Sequence, residues 1–248
     1  MAYDPTKVEG LGTDELEMSE TMPIFRIIQD QAPELKKRDE KYIAEAEAGD
    51  IMFNPTKELF KELEFVPVAT KSLYVEWKPQ DTGGGVVAMH DRTIVNDPAY
   101  EKGRKKKYDE WLGENELKYT TYIMILYLQD KEWNRGMLAM TSTQLRVSRD
   151  LAKQIATFKW PKIAAKPPIF ARSFKLTTKT EKNGAGQEYF NFQVSEPRIL
   201  DFKKDEALLN QAEAAHTDAV ETLPSADPVD RPALAEASTS EGSEETPF

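Results

Sequence analysis

The sequence predicts a mainly β fold with one or two helices, and three observations carry that expectation. Residues 64–77 and 119–128 are rich in β-branched and aromatic side chains, the composition of strands. Residues 169–180 and 187–194 flank Asn183-Gly184-Ala185-Gly186, which allows the positive φ of a tight hairpin turn. A sustained helical stripe, Val147, Leu151, Ile155 and Phe158, recurs at intervals of four, four and three.

Residues 1–21 hold six acids, one Lys and two glycines without periodicity and read as a mobile acidic arm. Residues 24–28, Ile-Phe-Arg-Ile-Ile, predict a first strand, and residues 44–50 lead through a turn or short helix into a strand at 51–53. Within 64–77, Pro67 has no N–H to give to a ladder, so it marks a break, bulge or edge. Gly83-Gly84-Gly85 predicts a turn before a strand at 86–89. Residues 97–116 are polar and charged, which predicts an exposed loop or short helix. Residues 119–128 are apolar on both alternating faces, as a central strand buried on both sides would be. Trp133-Asn134-Arg135-Gly136 predicts a turn into 137–141, and Thr141-x-x-Gln144 offers a capping box for a helix running to about Phe158.

In the hairpin, Phe170, Phe174 and Leu176 lie opposite Phe190, Phe192 and Val194 on even positions, while odd positions carry Lys175, Lys179, Tyr189 and Asn191. The even face reads as core and the odd face as basic and aromatic. Strands, then one helix, then a closing hairpin fit an OB-like Greek-key barrel with N-terminal embellishments; a β-sandwich and an α+β fold are the alternatives. That domain spans residues 22–204. Beyond it a short Ala-rich stretch reads as transiently helical, and after Pro224 the composition turns to Pro, Ser, Thr, Ala and Glu, so 205–248 is expected to be a disordered acidic tail.

The 248 residues carry a formal net charge of −10, with 33 basic and 43 acidic side chains, but the charge is segregated. Residues 205–248 hold 11 acids and one base, so residues 1–204 sum to zero. Within them, residues 1–64 carry −8 and residues 131–204 carry +9. A basic half followed by an acidic tail points to an anion-binding surface with a tethered competitor, or to a tail that only solubilises. The longest apolar run, 122–128, is far short of the roughly 20 residues of a membrane-spanning helix, and the N-terminus lacks the blocks of a signal peptide. With no cysteine there is no disulfide framework. The expectation is a cytoplasmic protein without a membrane partner.

Two histidines, His90 and His216, and no cysteine leave no material for a Cys/His zinc site. Gly83-Gly84-Gly85 is followed by Val-Val-Ala-Met rather than Lys-Ser/Thr, so it is not a phosphate-binding loop. His90-Asp91 reads as structural or as part of a turn, and no Gly-x-Ser-x-Gly elbow occurs. Glu62, Glu64 and Glu76 do not by themselves place a general acid and base. A protein without enzyme activity, cofactor or metal is expected.

Single-stranded nucleic acid is held by cations that follow the phosphates and aromatic faces on which bases stack, at about 1–3 kcal/mol per base. The chain interleaves both types. The candidates are Lys102, Arg104, Lys105, Lys106 and Lys107 with Tyr108; Trp133 with Arg135; Lys175, Lys179 and Tyr189 on the hairpin; and Tyr74 with Lys78. The alternative for each is a solvated basic loop or a core ring.

The last eight residues, Glu241-Gly-Ser-Glu-Glu-Thr-Pro-Phe248, set an aromatic side chain in an acidic, otherwise apolar-poor segment, where it gains nothing until a partner buries it. This tip resembles the C-terminal peptide of single-stranded DNA-binding proteins of bacteria and their phages, in which acids lead to a terminal aromatic, often as Pro-Phe. The body is unlike the bacterial housekeeping members, so the resemblance is to a divergent phage-encoded type. It implies sequence-independent binding of single-stranded DNA in replication or recombination, in the host cytoplasm, with a homo-oligomer compatible. It also implies that Pro247 and Phe248 dock in an apolar pocket of replication or recombination proteins while Glu241, Glu244 and Glu245 meet a basic rim. The tip departs from the pattern in carrying Glu where a denser Asp run is usual and Thr246 where an apolar residue is common. An interaction or assembly protein whose acidic tail engages a basic protein, without nucleic acid, is the competing expectation. A nucleic-acid enzyme would need a carboxylate cluster for Mg²⁺.

Overall fold

The computed structural model describes residues 23–226 apart from Lys107, Lys162, Ile163 and Glu196. The arm expected at 1–21 and everything from residue 227 onward lie outside the described residues. The strands are β1 (Ile24–Ile27), β2 (Ile51–Phe53), β3 (Leu59–Phe60), β4 (Leu63–Trp77), β5 (Val86–His90), β6 (Tyr100–Lys102), β7 (Glu110–Leu112), β8 (Asn115–Gln129), β9 (Glu132–Thr141), β10 (Arg172–Lys182), β11 (Glu188–Val194) and β12 (Arg198–Ile199). The helices are α1 (Gln144–Thr157) and α2 (Glu206–Thr222).

All of the strands join one sheet, whose main path runs β11-β10-β4-β8-β9-β1-β2-β3. Neighbours on that path are antiparallel except β1 and β9, which are parallel. The sheet curls into a half-barrel, consistent with the expected OB-like architecture, and α1 between β9 and β10 covers its inner face. Phe25, Phe53, Phe65, Ile125, Leu138 and Phe174 fill that interior, closed by Val147 and Leu151 of α1. The expected helix stripe is therefore the face that seals the barrel.

β8 is the spine because its two faces are both apolar. Ile123, Ile125 and Tyr127 point into the barrel, whereas Tyr122, Met124 and Leu126 are buried on the outer side. What covers the outer side is α2, through Leu208, Ala212, Ala215 and Ala219. Small side chains at these positions let the helix approach Val66, Val68 and Met124 closely. The expectation of a disordered tail from residue 205 is thus corrected for residues 206–222, because an Ala-rich helix with one apolar stripe has a matching sheet face to bury it.

Two further expectations are corrected. Residues 97–116 contain a hairpin, β6 with β7, paired Tyr100↔Leu112 and Lys102↔Glu110 and joined to β8 at Glu110↔Leu117. The turn before β9 falls at Asp130 and Lys131, with φ of 49° and 70°, so Trp133, Asn134, Arg135 and Gly136 lie within the strand. Half of the expected capping box forms: the Thr141 N–H donates to Gln144 Oε1 at 3.5 Å, while the Thr141 hydroxyl donates instead to Tyr119 O at 3.2 Å. The irregularity expected at Pro67 is a bulge, since the β4–β8 register shifts between Pro67 and Ala69. Val68 is the extra residue, and its carbonyl accepts from His216 Nδ1 of α2 at 2.6 Å.

The barrel's two flanks are joined by a side chain rather than by a ladder. Gln29 Nε2 donates to Phe190 O at 2.8 Å, and the Phe190 N–H donates to Gln29 Oε1 at 2.9 Å. A carboxamide thereby reproduces the donor and acceptor that a strand would present to β11. Thr178 Oγ1 adds a bond to Gly49 O at 2.6 Å.

Candidate functional site

The long β4–β8 pair carries the barrel's inner face beyond its core. Past Ile123 the residues of this face are Thr70, Ser72 and Tyr74 on β4 and Thr121 and Tyr119 on β8. The Ser72 and Thr121 hydroxyls bond each other at 3.0 Å, and Tyr74 and Tyr119 meet edge to face at 5.1 Å. Burial raises the Tyr74 phenol above its ordinary range. Over this extension opens a groove of about 960 Å³, walled by Leu145, Ser148, Ala152 and Ile155 of α1, the 166–170 connector, and Glu213, His216 and Thr217 of α2. Its floor is apolar and aromatic, with Ile123, Tyr119 and Phe170.

Three cations line the groove: Arg92, Arg149 and Lys166. Arg92 is aimed by the turn before it, where Asp91 Oδ1 accepts from the Thr93 N–H at 2.7 Å. Its guanidinium bonds the Tyr119 hydroxyl and lies 5.3 Å from the centre of that ring. Arg149 donates from Nε to Leu145 O at 3.1 Å. Among the described residues none of the three has a carboxylate within salt-bridge distance. A smaller pocket of about 280 Å³, lined by Tyr74, Arg92, Val95 and Tyr119, adjoins it. An apolar floor with uncompensated cations suits a ligand that is both flat and anionic.

The residues expected from sequence are placed differently. Tyr74 lies at the smaller pocket, and Lys78 is exposed at the end of β4. On the β6–β7 hairpin Lys102 pairs with Glu110 at 3.2 Å and Arg104 with Glu114 at 3.1 Å. Lys105 lies 4.3 Å from the Trp111 ring centre, Lys106 and Tyr108 are exposed, and Lys107 lies outside the described residues. Trp133 packs beneath α2, whose Asp218 takes Arg135 at 2.6 Å. Lys175 pairs with Glu62 at 3.1 Å. The partner-binding tip, Glu241, Glu244, Glu245, Pro247 and Phe248, lies outside the described residues.

Nor do these segments meet. β10 joins β4 at Phe65, and β7 joins β8 opposite Trp77, so twelve residues of β4, roughly 40 Å, separate the two hairpins. Arg92, Arg149 and Lys166 give no signal of the groove in the sequence, while Tyr119 reads there as strand and Phe170 as hairpin core; Phe170 instead precedes β10 and lines the groove. The alternation Tyr119, Thr121, Ile123 along one strand face is the signal that could have pointed to the floor.

The odd face of the β10–β11 hairpin is organised around an acid. Glu181 accepts from Asn191 Nδ2 and the Tyr189 hydroxyl, both at 3.0 Å, and pairs with Lys179 at 2.9 Å and with Arg146 of α1. The Asn191 bond leads these in holding the Glu181 carboxyl down at about 2, against an ordinary 4.5. A folded-state value below the unfolded one contributes stability that is present above about pH 4.5 and lost as pH falls through 2. The melting temperature of the natural chain should therefore exceed that of Glu181→Gln by a margin that shrinks from pH 5 to pH 2. A margin constant across that window would refute the role given to Glu181.

His90 is buried at the end of β5, with Nε2 2.7 Å from Glu76 Oε2, while Asn115 Nδ2 donates to Glu76 Oε1 at 2.6 Å. This trio lies within the sheet. Among the described residues no group of three His, Asp or Glu could hold a metal ion. None of their helices is long and apolar enough to cross a membrane.

A family model described as Pam3 phage gp34-like protein matches residues 2–222. The chain belongs to this family of phage proteins. The match covers the whole half-barrel and α2, so in this Pam3 gp34-like protein the helix is part of the shared unit. No curated protein and no solved structure matches the chain.

Proposed function

We propose that this Pam3 gp34-like protein binds single-stranded DNA without strong sequence preference, in the groove between α1, α2 and the outer end of the β4–β8 pair. The observation that carries the reading is the convergence of Arg92, Arg149 and Lys166, unpaired with carboxylates, on a floor holding Tyr119 and Phe170. Phosphates would follow the cations and bases would lie on the rings. Its place would be phage replication or recombination in the host cytoplasm, with no catalytic step. The acidic segment beyond α2 would compete for the same cations and, through Pro247 and Phe248, recruit partner proteins; this part rests on the resemblance of the tip.

Each phosphate contact on a single strand contributes a slope of about −0.7 to log K against log salt, so three cations give roughly −2. Fluorescence anisotropy of labelled oligo(dT), titrated against salt and against duplex competitor, tests this. Arg149→Ala should reduce the slope by about 0.7, whereas Arg104→Ala, on a hairpin outside the groove, should leave it unchanged. Absence of oligo(dT) binding at low salt would remove the reading and favour the interaction protein.

A further inference from the structure

Phe202 keeps 54% of its surface in water, and among the described phenylalanines it alone is exposed. The turn that carries it is fixed from within. Asp201 Oδ1 accepts from the N–H groups of Lys203 and Lys204 at 2.9 and 3.0 Å. Asp205 Oδ2 accepts from the Asp201 N–H at 2.8 Å and from Arg198 at 2.9 Å. The ring lies against buried Trp160, with centroids 4.8 Å apart, and Trp160 meets Phe158 edge to face at 5.3 Å. Buried Arg172 anchors the inner end of this row, 4.3 Å from the Phe158 ring centre and donating to Gln154 O of α1. The outer face of Phe202 is thus held open on a rigid base, where a ligand can cover it without first ordering the turn.

The charge beside the ring selects the ligand. Lys203 and Lys204 follow Phe202 and Lys159 precedes Trp160, all three exposed. Among the described residues none of them has a carboxylate within salt-bridge distance. Asp201 and Asp205 are engaged by the turn's own N–H groups and by Arg198, which leaves Glu206 against three lysines. The patch also adjoins the groove by two routes. Ala156 lines the groove, and Trp160 lies four residues further on, no more than about 14 Å of chain. Phe170 lines it as well, and its neighbour Ala171 accepts the Leu200 N–H at 3.1 Å, two residues before Phe202. From the open ring, the lysines and this continuity we infer that Phe202, Lys203 and Lys204 form a second contact for single-stranded DNA. One base stacks on the ring and the adjoining phosphates meet the lysines where the strand leaves the groove. The second contact rests on the reading of the groove as a single-strand site, and it extends the length of strand the protein covers.

The test is fluorescence anisotropy of labelled oligo(dT) of about 4 and about 16 nucleotides, the span of site sizes of OB-type domains, with the full chain and Phe202→Ala. Phe202→Ala should bind the longer strand at least about fivefold more weakly and the shorter one as the natural chain does. Phe202→Trp, which keeps a stacking face, should restore the long-strand affinity. Lys203→Ala combined with Lys204→Ala should reduce the salt slope by about 1.4 on the longer strand alone, about 0.7 for each lysine. Undiminished binding of the longer strand by Phe202→Ala, with the natural chain holding both lengths, would overturn the second contact and leave the groove reading intact. An equal loss on both lengths would make Phe202 a prop for the groove and overturn the contact as well. Binding of neither length by the natural chain would remove the single-strand reading itself, and the second contact with it.

Discussion

A chain ended at residue 204 is expected to aggregate or melt far below the full chain, whereas one ended at residue 226 should melt with it. The difference is α2, which buries Leu208, Ala212, Ala215 and Ala219 on the outer face of the β4–β8–β9 layer together with Leu223 just beyond it. Two leucines are worth about 1.5–3 kcal/mol each on burial, and Val66, Val68, Met124 and Leu126 would be uncovered at the same time. The loss is on the order of 5 kcal/mol or more, comparable with the roughly 5–15 kcal/mol of a typical domain. Thermal melts and size-exclusion profiles of the two truncations decide the matter; matching curves would mean that α2 is dispensable. The result also bears on the tail as competitor. Of the net charge of −10 beyond residue 204, −5 belongs to residues 205–226 and only −5 to residues 227–248. Deleting the whole of 205–248 would confound lost charge with lost fold, so the competitor has to be tested with a cut at 226.

What could be read in the sequence is what local composition determines. β8 is apolar on both faces, Pro67 breaks a ladder wherever it sits, and the Val147, Leu151 stripe needs a surface to cover; each reappears in the fold with little change. The groove was hidden because it is built from segments far apart in the chain, with Arg92, Arg149 and Lys166 brought together only by the curl of the sheet. Clustering in sequence misled for the same reason. The lysine run near residue 104 lies on a short hairpin whose own acids, Glu101, Glu110 and Glu114, return to neutralise Lys102 and Arg104. Charge along the hairpin strands likewise gave no hint that Glu181 would gather Lys179, Tyr189 and Asn191 around itself, since Arg146 reaches it from another element. The tail boundary was missed because Ala-rich helices have weak patterns of their own, and the partner of α2 is a sheet face more than sixty residues away.

The second large effect is expected at Gly49, in the loop that leads into β2 and closes the barrel against β11. Its φ is +93°, and an added Cβ would stand 2.7 Å from Phe190 Cε1 and 2.8 Å from Cδ1. Two costs coincide there. The left-handed backbone costs a side-chain-bearing residue about 1–2 kcal/mol, and forcing atoms into a filled site costs about 1–3 kcal/mol more. Gly84 separates them, because its φ is +66° but nothing lies within 4 Å of its Cβ position. Gly84→Ala should therefore lose only the backbone part in denaturant unfolding, while Gly49→Ala should lose about 2–5 kcal/mol. Phe190 cannot retreat freely, since its own N–H and C=O are held by Gln29, and Thr178 holds Gly49 O. Trimming the ring should then relieve the clash: Gly49→Ala combined with Phe190→Ala should be less destabilised than the sum of the two single changes. Additivity of the pair would show that the ring yields without cost, and the seam between Gln29 and β11 would not be the rigid closure that the two hydrogen bonds describe.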